Sequence, residues 1–340
     1  MVSPLVTQTL TSIGTVVALK SACDFTSFLY FHLLSPSTYS RFLHGRAPYA
    51  LVTGASDGIG KAVAKELYAR GFNVIIHGRN AEKLKKVQEE IQSSSNVKRD
   101  VRLWVANARA PDVDLVQALK DWSDIEITLV IHNVGGAQLT NARYALAFDP
   151  FFSILISFSF TPLTLTSPSI DEIPEEVLLG DMRLNATFSY LLTRALLPKL
   201  RKTSETGPVQ IVFIGSVASD MPVPGLNPYG PAKAFIRQMS KAIDVEERAL
   251  HNGSGVSTTF FQVGEVSSGS HRSAVTLLSP SAATYAKSVV SKVGCGRSVA
   301  VPYVWHALQV WVTGLLPESL IAKSAAYAAV AEHKRMAKET

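Results

Sequence analysis

Tyr229 stands four residues before Lys233 in the stretch NPYGPAKAF (227–235). On a helix that begins at Tyr229, this spacing puts phenol and ammonium on one face, where the cation favours the phenolate and makes the tyrosine a proton donor. A bare Y-x-x-x-K is equally an ordinary amphipathic helix start, because such pairs arise by chance in long chains. A second group, GASDGIG, gathers Gly54, Ser56, Gly58, Ile59 and Gly60 in one loop. Glycines so placed permit a tight turn, close backbone approach to a pyrophosphate and a helix amino terminus aimed at the anion.

Elements must hold these groups. YALVT (49–53) is an apolar run of buried-strand type, and FNVIIHGRN (72–80) reads as a second strand. Between them, KAVAKELYARG (61–71) carries Val63 and Leu67 on one helical face, with Gly71 as the stop. Strand, glycine turn, helix and strand make the βαβ unit that binds a dinucleotide. The glycine order T-G-x-x-x-G-x-G differs from the commoner G-x-G-x-x-G, and its place between strand and helix separates it from the glycines of any surface turn. NAD sites of this kind present an acid at the end of the second strand, where Gly78 and Arg79 stand here. A guanidinium suits a 2′-phosphate and favours NADP(H), with a solvated turn residue as the plain alternative for Arg79. Asp57 dissents, since an acid in the glycine loop repels phosphate.

The 340 residues, 47% of them hydrophobic, suffice for one large α/β domain with extensions and exclude disorder. Thirty-three basic against 27 acidic residues give +6, which suits anionic headgroups or phosphorylated small molecules. The basic residues form no arm or aromatic-interleaved stripe, so nucleic acid is not expected. In EKLKKVQEE (82–90), Glu82/Lys86, Lys85/Glu89 and Lys86/Glu90 are i,i+4 pairs of a solvated helix. Cys23 and Cys295 are the only cysteines, which leaves no disulfide framework and no C-x-x-C metal site, and points to a reducing, cytosol-facing catalytic part. Residues 1–45 read as an apolar, membrane-associating segment, or alternatively as a hydrophobic helix packed on the domain. Its charges, Lys20 and Asp24, are spaced to pair, and Arg41, His44 and Arg46 follow it, which would leave the next domain cytosolic.

TGASDGIG, HNVGG (132–136), Asn185, GSVAS (215–219) and YGPAK (229–233) occur in the order of the short-chain dehydrogenase/reductase family, which the chain resembles. Within that family TGASDGIGK, NVG, LLTRALLPKL and YVWHALQVWVTGLLP look like the membrane-bound 3-oxoacyl-CoA reductases and their 17β-hydroxysteroid dehydrogenase relatives. The resemblance implies a Rossmann-type, doubly wound parallel sheet flanked by helices, with an N-terminal apolar helix and a C-terminal helical extension. It implies a catalytic tetrad of Asn185, Ser216, Tyr229 and Lys233. Ser216 would polarise the substrate carbonyl, Tyr229 would donate its proton to that oxygen, and Lys233 would bring the tyrosine pKa down and hold the nicotinamide ribose. Asn185 would position a water linking Lys233 to solvent. Cofactor contacts are implied for Gly54, Ser56, Gly58, Ile59, Gly60, Arg79, Asn107, Asn133, Gly135, Tyr229, Lys233 and Val266.

Departures from the family pattern are equally specific. His132 replaces the first asparagine of N-N-x-G, Asn107 stands where many members place an aspartate, and the proline-glycine turn after the sixth strand reads Val263-Gly264. Asn133 and Asn185 are separated by an unusually long stretch, an insertion at about 143–175 whose residues 150–170 carry no charge. It reads as a membrane-dipping or substrate-covering loop, a surface insertion, or translated non-coding sequence.

Three parts are therefore expected: 1–45, a catalytic domain over 46–275, and a substrate-covering segment with C-terminal helices over 276–340. The C-terminal stretch 303–317 fits an interfacial helix or a core-packed one equally. The expected reaction is NADPH-dependent reduction of a ketone on a lipophilic substrate, a long-chain 3-oxoacyl-CoA by resemblance, with a steroid or terpenoid ketone or alcohol as rival. A catalytically silent cofactor-binding scaffold is the reading from another class. The expected place is the cytosolic face of an intracellular membrane such as the endoplasmic reticulum, with the cytoplasm as alternative. A homodimer through the helices bearing Asn185 and Tyr229 is expected by analogy.

Overall fold

The computed structural model describes residues 3–136, 170–221, 226–251, 253–269 and 273–323. Most of the 143–175 insertion and the terminal EHKRMAKET lie outside these residues. The chain forms two units, Met1–Ser37 and Thr38–Thr340.

The first unit is dominated by helix α1 (Pro4–Leu29), which starts with proline at its first position under a Ser3 cap whose hydroxyl accepts the Val6 N–H. Thr9, Thr11 and Thr15 return their hydroxyls to the carbonyls of Leu5, Thr7 and Thr11, each at 2.9 Å, so their polar atoms are satisfied within the helix. Lys20 and Asp24 pair at 2.6 Å, as their spacing predicts. No residue of α1 is buried, and among the described residues no helix is long and apolar enough to cross a membrane.

The second unit is built on seven parallel strands: β1 (Pro48–Val52), β2 (Asn73–Gly78), β3 (Val101–Val105), β4 (Glu126–His132), β5 (Val209–Ile214), β6 (Val256–Phe261) and β7 (Val299–Ala300). Their order is β3-β2-β1-β4-β5-β6-β7, so the direction of winding reverses between β1 and β4. A crevice for ligands opens at such a reversal, beyond the carboxyl ends of the strands. The central strands are mostly apolar because both faces are covered, with every residue of β5, Gln210 included, buried.

The helices are α2 (Gly58–Ala69), α3 (Ala81–Ser93), α4 (Leu115–Asp121), α5 (Glu175–Met182), α6 (Phe188–Thr203), α7 (Tyr229–Leu250), α8 (Ala282–Ser291) and α9 (Val304–Thr313). Leu192, Leu196 and Leu200 of α6 and Ile236, Met239 and Ile243 of α7 form one core with Ile127, Ile211 and Phe213 of the sheet. Each side chain so buried contributes about 1.5–3 kcal/mol. Val63 and Leu67 of α2 are fully buried as predicted, and Gly71 follows that helix with φ 113°. The pairing expected within α3 is replaced by one between helices, Glu90 taking Lys61 of α2 at 2.7 Å and Lys65 at 3.7 Å.

Candidate active site

The β1–α2 loop is shaped from beneath. Gly54 adopts φ 65°, and a Cβ there would fall 2.8 Å from Val134 Cα, so a side chain is excluded by both conformation and space. A Cβ on Gly60 would strike the Gly54 carbonyl, which is how the first turn of α2 comes up against the loop. Asn133 does not point into the crevice: its Nδ2 donates to the carbonyls of Thr53 at 3.2 Å and Gly54 at 3.1 Å. Thr53 Oγ1 answers by accepting the N–H groups of Asn133 and Val134 at 3.0 and 3.1 Å. The two loops at the reversal are thus tied together, and Asn133, expected to contact the cofactor, is engaged with the backbone of the glycine loop instead.

His77, which sequence reasoning passed over, accepts the Gly54 N–H on Nδ1 at 3.2 Å. Its ring stacks on Phe188 and leans on Trp104, and burial lowers its pKa to about 4, so it supports the loop as a neutral imidazole. Only its polar type in an apolar strand signals a role. His132, in the place of the family's asparagine, turns to the α6 side instead, with Nε2 at 2.9 Å from Thr193 Oγ1 and its ring on Phe213.

At the carboxyl end of β2 Arg79 is exposed and has no partner among the described residues, while Asn80 beside it caps α3. Asp57 caps α2, its Oδ1 accepting the Gly58 N–H at 2.7 Å, so its charge is set on the helix terminus. Asn107 is exposed after β3 and accepts the Arg109 N–H at 3.2 Å. Arg109 reaches from there to buried Asp181 of α5 at 2.6 Å, a link between the two ends of the crevice that no local pattern signals. Ser56 and Ile59 are partly buried in the loop, and Val266 is buried beyond β6.

At the other end Asn185, Ser216, Tyr229 and Lys233 converge. Asn185 sits in a π-helical turn (Arg183–Thr187) between α5 and α6, accepting the Gly136 N–H at 2.8 Å and donating to the carbonyls of Gly136 and Asp181, both at 3.1 Å. Ser216 follows β5 and accepts the Ala218 N–H at 3.1 Å. The hydroxyl of Tyr229, the first residue of α7, lies near enough to that of Ser216 for the serine to lower its pKa. Lys233 lies one turn on, with Nζ 5.7 Å from the Tyr229 ring centroid and donating to Ile214 O at 3.1 Å.

The electrostatics differ from the sequence expectation. Burial raises the Tyr229 pKa, the Ser216 hydrogen bond acting in the opposite sense, while burial brings Lys233 down to about 8. The reason is desolvation: burial penalises the charged form of each group, raising the phenol and lowering the ammonium.

The residues present fit a nicotinamide dinucleotide. The glycine cradle and the α2 amino terminus at one end, and the polar side chains at the other, have the chemistry that cofactor requires.

Comparison with known proteins agrees. The chain is 27% identical over 279 residues to a very-long-chain 3-oxoacyl-CoA reductase of Kluyveromyces lactis, covering 79% of this chain and 72% of that one. It is 28% identical over 277 residues to the very-long-chain 3-oxoacyl-CoA reductase-B of Danio rerio, covering 81% and 78%. Among solved structures, a short-chain dehydrogenase from Sphingobium yanoikuyae in complex with NADPH superposes with a TM-score of 0.58 at 22% identity, over 79% of this chain and 94% of that one. A bulky-bulky ketone specific alcohol dehydrogenase from Comamonas testosteroni gives 0.58 at 19% identity, over 80% and 94%. With the short chain dehydrogenase profile matching residues 48–275, the chain belongs to that family of oxidoreductases.

Proposed function

We propose that this protein reduces the ketone of a long-chain 3-oxoacyl-CoA with NADPH. The observation that carries the reading is the convergence of Ser216, Tyr229, Lys233 and Asn185 at one end of the dinucleotide crevice. The names of the two relatives support the substrate. Exposed Arg79 at the end of β2 supports the 2′-phosphate.

When bound, the reduced nicotinamide supplies a hydride to the carbonyl carbon. The Ser216 and Tyr229 hydroxyls, near neighbours in the site, hold the carbonyl oxygen between two donors. A tyrosine with a raised pKa keeps its proton until that oxygen becomes an alkoxide, which is a strong enough base to take it. Lys233, charged below about pH 8, stabilises the tyrosinate left behind. Asn185 secures the Gly136 backbone beside Lys233 and keeps this end of the crevice open to a water.

Helix α1 is the element we assign to a membrane surface. Leu5, Leu10, Ile13, Val16 and Leu19 are exposed around it, and the hydroxyls of Thr9, Thr11 and Thr15 are already bonded internally. Arg41 and Arg46 after it favour a cytosolic catalytic unit, as on the endoplasmic reticulum. The exposed Tyr190 and Leu191 of α6 and Phe235 of α7 support a homodimer through those helices.

NADPH oxidation by the full chain, followed with a panel of 3-oxoacyl-CoA esters and steroid ketones, tests the proposal. Turnover of the esters is expected. Turnover of steroid ketones alone overturns the substrate, and cofactor binding without any turnover overturns the enzyme reading.

A further inference from the structure

The turn after β6 borders the reacting end of the crevice. Val263 O accepts the N–H of Val217, the residue after Ser216, at 2.9 Å, and Val266 is buried. The turn reads Val263-Gly264-Glu265, so no pyrrolidine ring restricts its backbone. What grips it is His306, in the first turn of α9. His306 Nδ1 accepts the Gly264 N–H at 3.2 Å, while Nε2 lies 3.0 Å from Glu265 O and 3.1 Å from Leu278 O. An imidazole that accepts on Nδ1 and faces carbonyls with Nε2 carries its proton on Nε2. One side chain therefore takes the donor of one residue and the acceptor of the next, and ties both to the segment before α8.

The fit is close on every side. His306 is fully buried, with the rings of Tyr303 and Tyr285 at 5.0 and 5.7 Å. Burial also lowers its pKa, in keeping with the neutral tautomer the hydrogen bonds require. A Cβ on Gly264 would fall 2.8 Å from the His306 ring, so the absence of a side chain at 264 is what admits the imidazole.

We infer that His306 is a positioning residue for the cofactor, holding the turn after β6 in the shape that seats the nicotinamide end through hydrogen bonds from the C-terminal extension. The inference rests on the dinucleotide reading of the crevice. His306 touches neither cofactor nor substrate and acts through Gly264 and Glu265.

Equilibrium binding of NADPH and of 2′,5′-ADP, which has the phosphorylated adenosine without the nicotinamide, tests this on the full chain. His306→Ala removes hydrogen bonds at Gly264 and Glu265 and should weaken NADPH about tenfold. Affinity for 2′,5′-ADP should not change. Gly264→Ala pushes on the same contact from the other side and should show the same selective loss. The double variant, in which the smaller residue 306 makes room for the new methyl, should lose less than the product of the two single effects. His306→Gln, which keeps a donor and an acceptor, should recover part of the affinity.

Unchanged NADPH binding in His306→Ala, or equal weakening of both ligands, overturns the inference. Should His306→Ala fail to fold, His306→Gln and Gly264→Ala carry the same comparison. Because the readout is binding, a wild-type chain that binds NADPH and reduces nothing would overturn the proposed reaction while leaving this inference standing.

Discussion

Asn185 Oδ1 and Lys233 Nζ meet at Gly135, where a Cβ would fall 2.8 Å from the one and 2.9 Å from the other. Gly135 has φ 153°, a conformation side-chain-bearing residues avoid, so the meeting depends on glycine twice over. Gly135→Ala should displace both polar groups and lower kcat by about 10²-fold, the size of effect that ångström-scale misplacement produces. A steady-state comparison with melting temperatures checks this. Full activity in a folded Gly135→Ala would mean the two groups need not meet.

Tyr229→Phe removes the proposed proton donor and leaves the ring against Lys233. Turnover should fall by at least about 10²-fold, with NADPH binding retained. Persistent turnover would reject the assignment of the acid.

Lys233 is the group in this site whose charge changes near neutrality, since burial lowers its pKa from 10.5 to about 8. Only its protonated form supports the tyrosinate, so kcat/KM should decline as pH rises through about 8. Lys233→Arg, whose guanidinium stays charged, should move that decline upward in whatever activity remains. The stability effect has the opposite sign. Between about 8 and 10.5 the unfolded chain holds more protons on this lysine than the folded one, so its contribution makes the fold more stable as pH rises across that window. Denaturant titrations of wild type and Lys233→Met over this range separate that contribution.

Arg79, exposed at the end of β2, has no partner among the described residues, and the proposed reading gives it the 2′-phosphate. Arg79→Ala should raise the dissociation constant for NADPH by roughly 10- to 100-fold, the worth of a charged hydrogen bond, and leave that for NADH nearly unchanged. Equal losses for both cofactors would remove Arg79 from cofactor choice.

Much of this site is legible in the chain because the relevant geometry is local. The glycine loop is a short stretch between a strand and a helix, and Tyr229 and Lys233 are one helical turn apart, so spacing alone puts each group together. Asn133 was legible as a residue but not as a role, because its bonds to Thr53 and Gly54 cross between two strands distant in sequence. The Lys86/Glu90 pair expected on α3 was lost to α2 for the same reason, a packed neighbour outcompeting a local partner.

By itself the sequence determined the βαβ unit, the glycine cradle and the α/β class, which follow from periodicity and short spacing, while the tetrad is what the family resemblance implies. Only the tertiary structure decided which groups hold the site in shape. His77 meets Gly54 across 23 residues, His306 meets Gly264 across 42 and Arg109 meets Asp181 across 72. Packing also decided which of Tyr229 and Lys233 titrates near neutrality. Desolvation is set by everything packed around a group, and elements far apart in the chain supply that surrounding.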